Sequence, residues 1–336
     1  MKPRIIFVER KPSASVSIER VFKQIAADWP PEKFDVEFQT VPYGNGIVAI
    51  LKNLLFFRKR KADIYHITGD VHYISLVLPG ARTVLTIHDL VFLRRRTGIR
   101  RYVLKKLFLE LPLRRVGQVT VVSQAIKDEI ITETGFSAEK IDVIENPLIH
   151  GFEADPQKPF NEECPVILHI GTAENKNLSN LIAAVEDLPC KLKIIGQLDD
   201  KVIEDLRRHN INYETVAGLD ERQIVEEYRN ADIVSFCTTY EGFGLPIIEA
   251  QAMRKPVITS DLAPMNAVAG DGALLVDPND PASIRRGLDR LFTDAKYRTQ
   301  LIAAGTENIK RFDGKPLAQQ YADIYDRILS RMDTSI

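Results

Sequence analysis

The chain has 336 residues, 45% of them hydrophobic, with a mean hydropathy of −0.12. That supplies two ordinary globular cores, while 45 Lys and Arg against 46 Asp and Glu leave a net charge of −1 and no overall field to attract nucleic acid. Cys164, Cys190 and Cys237 are far apart, form no CxxC pair and leave at least one thiol over in any disulfide scheme, which fits a reducing cytoplasm. The opening MKPRIIFVERKPSAS has too short an apolar run for a secretory signal, and no uncharged apolar segment reaches spanning length, so the expectation is a cytoplasmic protein.

Short β-branched runs alternate with helical patterns from the start. IIFV at 5–8 precedes IERVFKQIAADW, FDVEFQTV at 34–41 precedes GIVAILKNLLFF, and ADIYHIT at 62–68 is followed by TVLTIHD at 83–89. A long basic helical pattern, VTVV at 119–122, a helix with Ser123 at its N-cap and IDVI at 141–144 complete the series. Residues 150–165 lose periodicity and collect proline and acid, as an interdomain linker does. The alternation restarts with VILHI at 166–170, LKII at 192–195, INYETV at 211–216, DIVSF at 232–236, VITS at 257–260 and ALLV at 273–276, with a helix opening at Asp220. Residues 281–332 look entirely helical. The expected fold class is α/β: two Rossmann-like, doubly wound domains facing a cleft, with ligands beyond the carboxyl ends of the strands. The boundaries expected are 1–155, 160–315, and a last helix over 316–336 packing back on the first domain.

The stretch TTYEGFGLPIIEA, 238–250, carries the chemistry. It leaves a buried strand, turns through Gly242, Phe243 and Gly244, and enters a helix whose proline sits near its first position, where a missing N–H is harmless. The glycines allow close approach of a ligand, and the free amides of the helix start attract an anion such as a diphosphate. Glu241 before the turn and Glu249 on the first turns then flank that anion, placed to accept hydrogen bonds from hydroxyls at its two ends, as in a nucleotide-sugar. Either glutamate alone reads as a solvated turn residue or an acid favoured by the helix dipole.

EGFGLPIIEA, KPVITSDLAPMNAVAGDGALLVDP and HIGTAENKNL at 169–178 resemble the retaining nucleotide-sugar glycosyltransferases of family 4, whose two-domain fold is called GT-B. The resemblance spans essentially the whole chain. It implies that Glu241 contacts the donor sugar, that Gly242, Phe243, Gly244 and Leu245 line the sugar diphosphate, and that Glu249 binds the ribose. Lys176 matches the family lysine that neutralises the leaving diphosphate. The second family cation is missing, with Thr172 and Asn175 nearby. His88, in HD at a strand end, matches the histidine that touches the donor sugar, and Gly218 and Leu219 stand where the base is met. His88, Lys176 and Glu241 are thus the expected catalytic residues. The family's paired glycines after the first strand are replaced by serines, of which Ser15 and Ser17, with Asp89, are candidates for the acceptor or phosphate side. No metal is expected and no cofactor, a UDP- or GDP-sugar being a substrate.

From Arg94 to Arg115 nine basic residues meet one acid, Glu110, among apolar positions, and RKRK at 58–61 adds to the same domain. A basic amphipathic helix over 94–115 reads as an anionic membrane surface contact or as a solvated face; nucleic acid fits less well without aromatic platforms. The function expected is metal-independent retaining transfer of a hexosyl unit from a nucleoside diphosphate sugar to an acceptor hydroxyl of a glycan or lipid-linked glycan. A nucleotide-sugar epimerase of the same architecture and a two-lobed sugar-binding protein are the alternatives.

Overall fold

The computed structural model describes residues 2–11, 17–44, 46–154 and 159–333. By its contacts the chain divides into two units, one running up to Pro147 and resumed from Asp313 on, the other spanning Leu148–Phe312.

The first unit is built on six parallel strands: β1 Arg4–Glu9, β2 Asp35–Thr40, β3 Ile64–Ile67, β4 Thr83–Ile87, β5 Gln118–Val121 and β6 Ile141–Val143. Their order across the sheet is β2-β1-β3-β4-β5-β6. All four residues of β3 and all five of β4 are buried, because helices cover both faces of a parallel sheet; such strands are mostly apolar, and the polar residues they carry here, among them His66 and Thr86, have to find partners inside. The helix Gly314–Asp333 packs on the helix Ser17–Ala27. Trp29 donates its indole N–H to the Ala318 carbonyl at 2.7 Å. Beneath it His66 joins Tyr325 (Nδ1 to hydroxyl, 2.5 Å) and Thr86 (Nε2 to Oγ1, 2.6 Å), and Thr86 meets Thr120 at 2.6 Å. A buried polar chain of this kind is stable because each member is paired.

The second unit repeats the plan with β7 Val166–Ile170, β8 Lys191–Ile195, β9 Tyr213–Val216, β10 Ile233–Phe236, β11 Val257–Ser260 and β12 Leu274–Val276. Its order is β12-β11-β10-β7-β8-β9, all parallel. From β7 the chain winds outward through β8 and β9, then returns to place β10 on the other side of β7. The β7/β10 boundary is therefore where the winding reverses, and a crevice opens there because the connections leave in opposite directions.

The basic segment 94–115 is not one even helix. A short helix Val91–Arg94 is separated from Gly98–Lys105, which continues through a π-helical turn, Lys106–Glu110, into Leu111–Arg115. Gly98, at φ +60°, makes the break. No helix among the described residues is long and apolar enough to cross a membrane.

Candidate active site

Two loops meet at the reversal point of the second sheet. Beyond β7 the chain passes Gly171 and Thr172, makes the turn Glu174–Lys176, and enters the helix Leu178–Val185 from Asn177, whose φ is +62°. Beyond β10 it runs from Cys237 to Gly244 and into the helix Leu245–Ala252. Asparagines fasten one loop to the other. Asn175 donates its side-chain amide to the Tyr240 carbonyl at 2.9 Å, and its own carbonyl accepts from the Thr239 N–H at 2.9 Å. Asn177 donates to the carbonyls of Cys237 (2.9 Å) and Pro278 (2.7 Å).

That fastening brings Lys176 to Glu241. The Lys176 ammonium lies 2.8 Å from Glu241 Oε1, which also accepts from Asn175 Nδ2 at 3.2 Å. The lysine stem runs across Gly171, where a Cβ would stand 3.0 Å from Lys176 Cγ, and the ammonium sits 5.0 Å from the centroid of the Phe236 ring. Glycine at φ +90° gives the stem its path. Burial pushes the Glu241 carboxyl above its ordinary range, outweighing the downward pull of Lys176 and Asn175. His169, under this corner, is lowered to about 4 by burial and then by Lys176, so its imidazole is neutral at neutral pH.

Around the turn, the Phe243 side chain is buried edge-on against Phe312, 5.7 Å between centroids at 87°. This anchors the turn through its side chain. Gly244, at φ +117°, opens the helix, and Leu245 is half-buried at its first position. Pro246 in the first turn gives up no intrahelical bond. Glu249 is buried, and its Oε2 accepts from the Tyr228 hydroxyl at 2.5 Å. Tyr228 comes from the helix Glu221–Asn230, which opens on a capping box between Asp220 and Gln223. No local pattern in EEYRN marks this tyrosine; the pairing exists only in three dimensions.

The other donor-side candidates of this unit lie at neighbouring strand ends. Thr172 is half-buried and faces Gly196 at the end of β8, where a Cβ would come within 2.7 Å of Thr172 Cγ2. Gly218 is exposed at φ +70° after β9, and Leu219 beside it is half-buried. Among the described residues no group of three His, Cys, Asp or Glu side chains could hold a metal ion.

His88, Asp89 and Ser17 belong to the first unit. His88, at the end of β4, is buried and donates Nε2–H to the Thr68 carbonyl at 2.9 Å, which leaves Nδ1 unprotonated. Burial lowers it to about 4, against the opposing pull of Asp70. Asp89 accepts the Val91 N–H at 2.9 Å and so shapes its own turn. Ser17 begins the helix Ser17–Ala27, and Ser15 lies outside the described residues. In the basic segment, Arg94 pairs with Glu129 at 2.9 Å, Arg101 with Glu133 at 2.6 Å, and Lys105 with Glu133 at 3.5 Å. Part of the positive charge read from 94–115 is thus met by acids of the helix Gln124–Thr134.

Comparison with known proteins agrees with these two units. Residues 22–149 match the family described as Glycosyltransferase Family 4, and residues 152–308 match Glycosyl transferases group 1. The O-antigen chain mannosyltransferase B of Escherichia coli is 28% identical over 298 residues, 80% of this chain and 75% of that protein. The O-antigen chain mannosyltransferase RfbU of Salmonella typhimurium is 25% identical over 249 residues, 70% and 69% of the two chains. Among solved structures, HepE of Anabaena in complex with UDP and glucose superposes with a TM-score of 0.78 at 16% identity, covering 97% of this chain and all of that one. With its two parallel sheets and both halves matched, the chain is a glycosyltransferase of the GT-B fold, related to the family 4 and group 1 enzymes that transfer sugar from a nucleoside diphosphate donor to an acceptor.

Proposed function

We propose that the enzyme transfers a hexosyl unit from a UDP- or GDP-sugar to a hydroxyl of a glycan or lipid-linked glycan, with retention of anomeric configuration and without a metal ion. The observation that carries this is the meeting of Lys176 and Glu241 where the winding of the second sheet reverses. As the glycosidic bond breaks, charge builds on the departing diphosphate. The Lys176 ammonium and the amides of Gly242, Phe243 and Gly244 supply fixed positive charge where a metal would otherwise be needed, and no reorganisation is required at the moment of reaction. Earlier, as the donor binds, Glu241 exchanges part of its bond to Lys176 for the hydroxyls of the donor sugar. Glu249, oriented by Tyr228, takes the ribose hydroxyls, while Thr172, Gly218 and Leu219 border the nucleotide. For His88 we propose contact with the donor sugar, with Nδ1 as acceptor because Nε2–H is committed to Thr68. Asp89, Ser15 and Ser17 remain candidates for the acceptor side.

A glycan acceptor is supported by the relatives named as O-antigen chain mannosyltransferases, and a nucleoside diphosphate donor by the similar fold solved with UDP and glucose. We place the work in the cytoplasm, in keeping with three free thiols, and at the inner membrane surface through residues 94–115, where Ile99 and Tyr102 are exposed beside Arg95, Arg96 and Arg100. Thermal melting with UDP- and GDP-sugars, followed by assay of the stabilising donor with glycan acceptors and assignment of product configuration by NMR, tests the reading. Raised melting temperature and an α-linked product from an α-linked donor are expected. Stabilisation by free monosaccharide but by no nucleotide would identify a sugar-binding protein, and conversion of the donor to an epimer without acceptor would identify an epimerase.

A further inference from the structure

Residues 41–62 contain no acid and five bases, Lys52, Arg58, Lys59, Arg60 and Lys61. Their central helix, Ile47–Phe57, is apolar nearly all round, Lys52 and Asn53 being its two polar residues, so burying one side leaves a second apolar side facing out. Ile47, Val48, Leu51 and Leu55 are 80%, 66%, 55% and 60% exposed, and at these spacings they form one stripe along the helix. The inward side is held by a polar residue. Asn53 is wholly buried; its Oδ1 accepts from the Tyr43 N–H at 3.1 Å, and its Nδ2 donates to the Tyr43 carbonyl at 3.1 Å and to the Tyr73 hydroxyl at 2.9 Å. Rotating the helix to hide the stripe would break these bonds, expose Phe57 and carry Lys52 inward, so the aliphatic face is fixed outward. Isolated exposed leucines are ordinary, but a contiguous stripe locked in this way marks a contact surface.

Cations border the stripe. The Lys52 ammonium lies 5.2 Å from the Tyr43 ring centroid, and the Arg60 guanidinium lies 4.4 Å from that of Phe56. Tyr43, Lys52, Leu55, Phe56, Lys59 and Arg60 line an open cavity of about 480 Å³. An apolar stripe flanked by uncompensated positive charge is complementary to one surface, acyl chains beneath anionic headgroups. We propose that the helix Ile47–Phe57 lies in the interface of an anionic phospholipid bilayer, with Ile47, Val48, Leu51 and Leu55 among the acyl chains and Lys52, Lys59 and Arg60 on headgroup phosphates. The inference deepens the membrane-surface part of the proposed function and rests on it.

Flotation with vesicles of phosphatidylglycerol and phosphatidylcholine tests it, using the full chain, Leu51→Gln/Leu55→Gln and Arg95→Gln/Arg96→Gln/Arg100→Gln. The substituted leucines are exposed, so melting should match the parent, while partition should fall by about tenfold or more. Leu51→Trp should emit further to the blue on these vesicles and be quenched by lipids brominated on their acyl chains. Unchanged flotation of the leucine variant, or unshifted Leu51→Trp emission, would overturn the inference. Loss of binding in the arginine variant alone would leave the 94–115 contact standing and this helix refuted; loss in the leucine variant alone would do the reverse. A parent that does not float overturns both. A dimer in vesicle-free solution that the leucine substitutions dissolve would show that a second copy of the chain covers the stripe, again against the inference.

Discussion

Lys176 Nζ lies 2.8 Å from Glu241 Oε1, although the two residues are 65 positions apart in the chain. Each comes from a loop beyond a different strand, and the strands are neighbours only because β10 returns to the side of β7 opposite β8. The pair keeps an ammonium and a carboxylate in place in a partly buried corner, with side chains 22% and 15% exposed. On the proposed reading, an incoming diphosphate would compete for the first and sugar hydroxyls for the second, which would make the resting contact a preorganised form of the site rather than a surface ion pair of small worth.

Lys176→Gln should lower kcat by about 10²–10³ and alter the donor KM less, since a cation serving the leaving group acts chiefly in the transition state. Steady-state transfer with the donor found by thermal melting measures it. A variant with kcat within about twofold of the parent would remove Lys176 from leaving-group stabilisation. Glu241→Ala should abolish transfer while the protein stays folded, and full activity there would end the assignment.

Glu241 also makes a prediction about stability. Its carboxyl is raised in the folded protein, chiefly by burial, so the folded chain holds that proton to higher pH than the unfolded chain does. Its contribution to stability therefore falls as pH rises from the ordinary carboxyl value, about 4.3, through the raised one. Glu241→Gln should then melt at or above the parent temperature at neutral pH, with the gap closing in acid. Lys176, 22% exposed, is free to turn to water in that variant. A parent more stable than Glu241→Gln at neutral pH, with the difference vanishing only in acid, would show that attraction by Lys176 outweighs burial.

Tyr228→Phe removes the hydroxyl that donates to Glu249 at 2.5 Å without changing the buried ring. If Glu249 holds the ribose, the donor KM should rise several-fold while kcat changes little, because binding of the nucleotide is shared by ground and transition states. Isothermal titration with the free nucleoside diphosphate reads the same loss. An unchanged nucleotide affinity would detach this pair from donor binding.

In the first unit, Tyr325→Phe takes away the hydroxyl that meets His66 Nδ1 at 2.5 Å in a wholly buried setting. A cost of about 1–3 kcal/mol is expected for leaving that ring nitrogen without this partner. Urea unfolding measures it, with an unchanged m-value showing that the variant folds alike.

Much of the architecture was legible from local pattern. Among the described residues the twelve strands lie within about two residues of the runs read for them; inner strands such as β4, β10 and β11 are buried throughout because helices cover both faces of a parallel sheet, while β2, β8 and β9 carry charged residues on their more exposed positions. Ser123 and Asp220 open their helices as capping chemistry demands, accepting from the amides of Ile126 and Gln223. The glycines of EGFG and the following helix were equally local, since a turn and a helix start are decided by a few consecutive residues.

Other features were decided only when the chain closed on itself. Nothing in ENKN says that Asn175 will bond to Glu241, or in EEYRN that Tyr228 will reach Glu249. The basic run 94–115 reads as free charge until the helix Gln124–Thr134 brings Glu129 and Glu133 against it. GIVAILKNLLFF reads as a helix, but which side turns outward was settled by Asn53 meeting Tyr43 and Tyr73. Periodicity reports how each segment can bury its own apolar face, a property of neighbours in sequence. Partnerships between distant side chains depend on sheet order and loop closure, and only the assembled tertiary structure sets those.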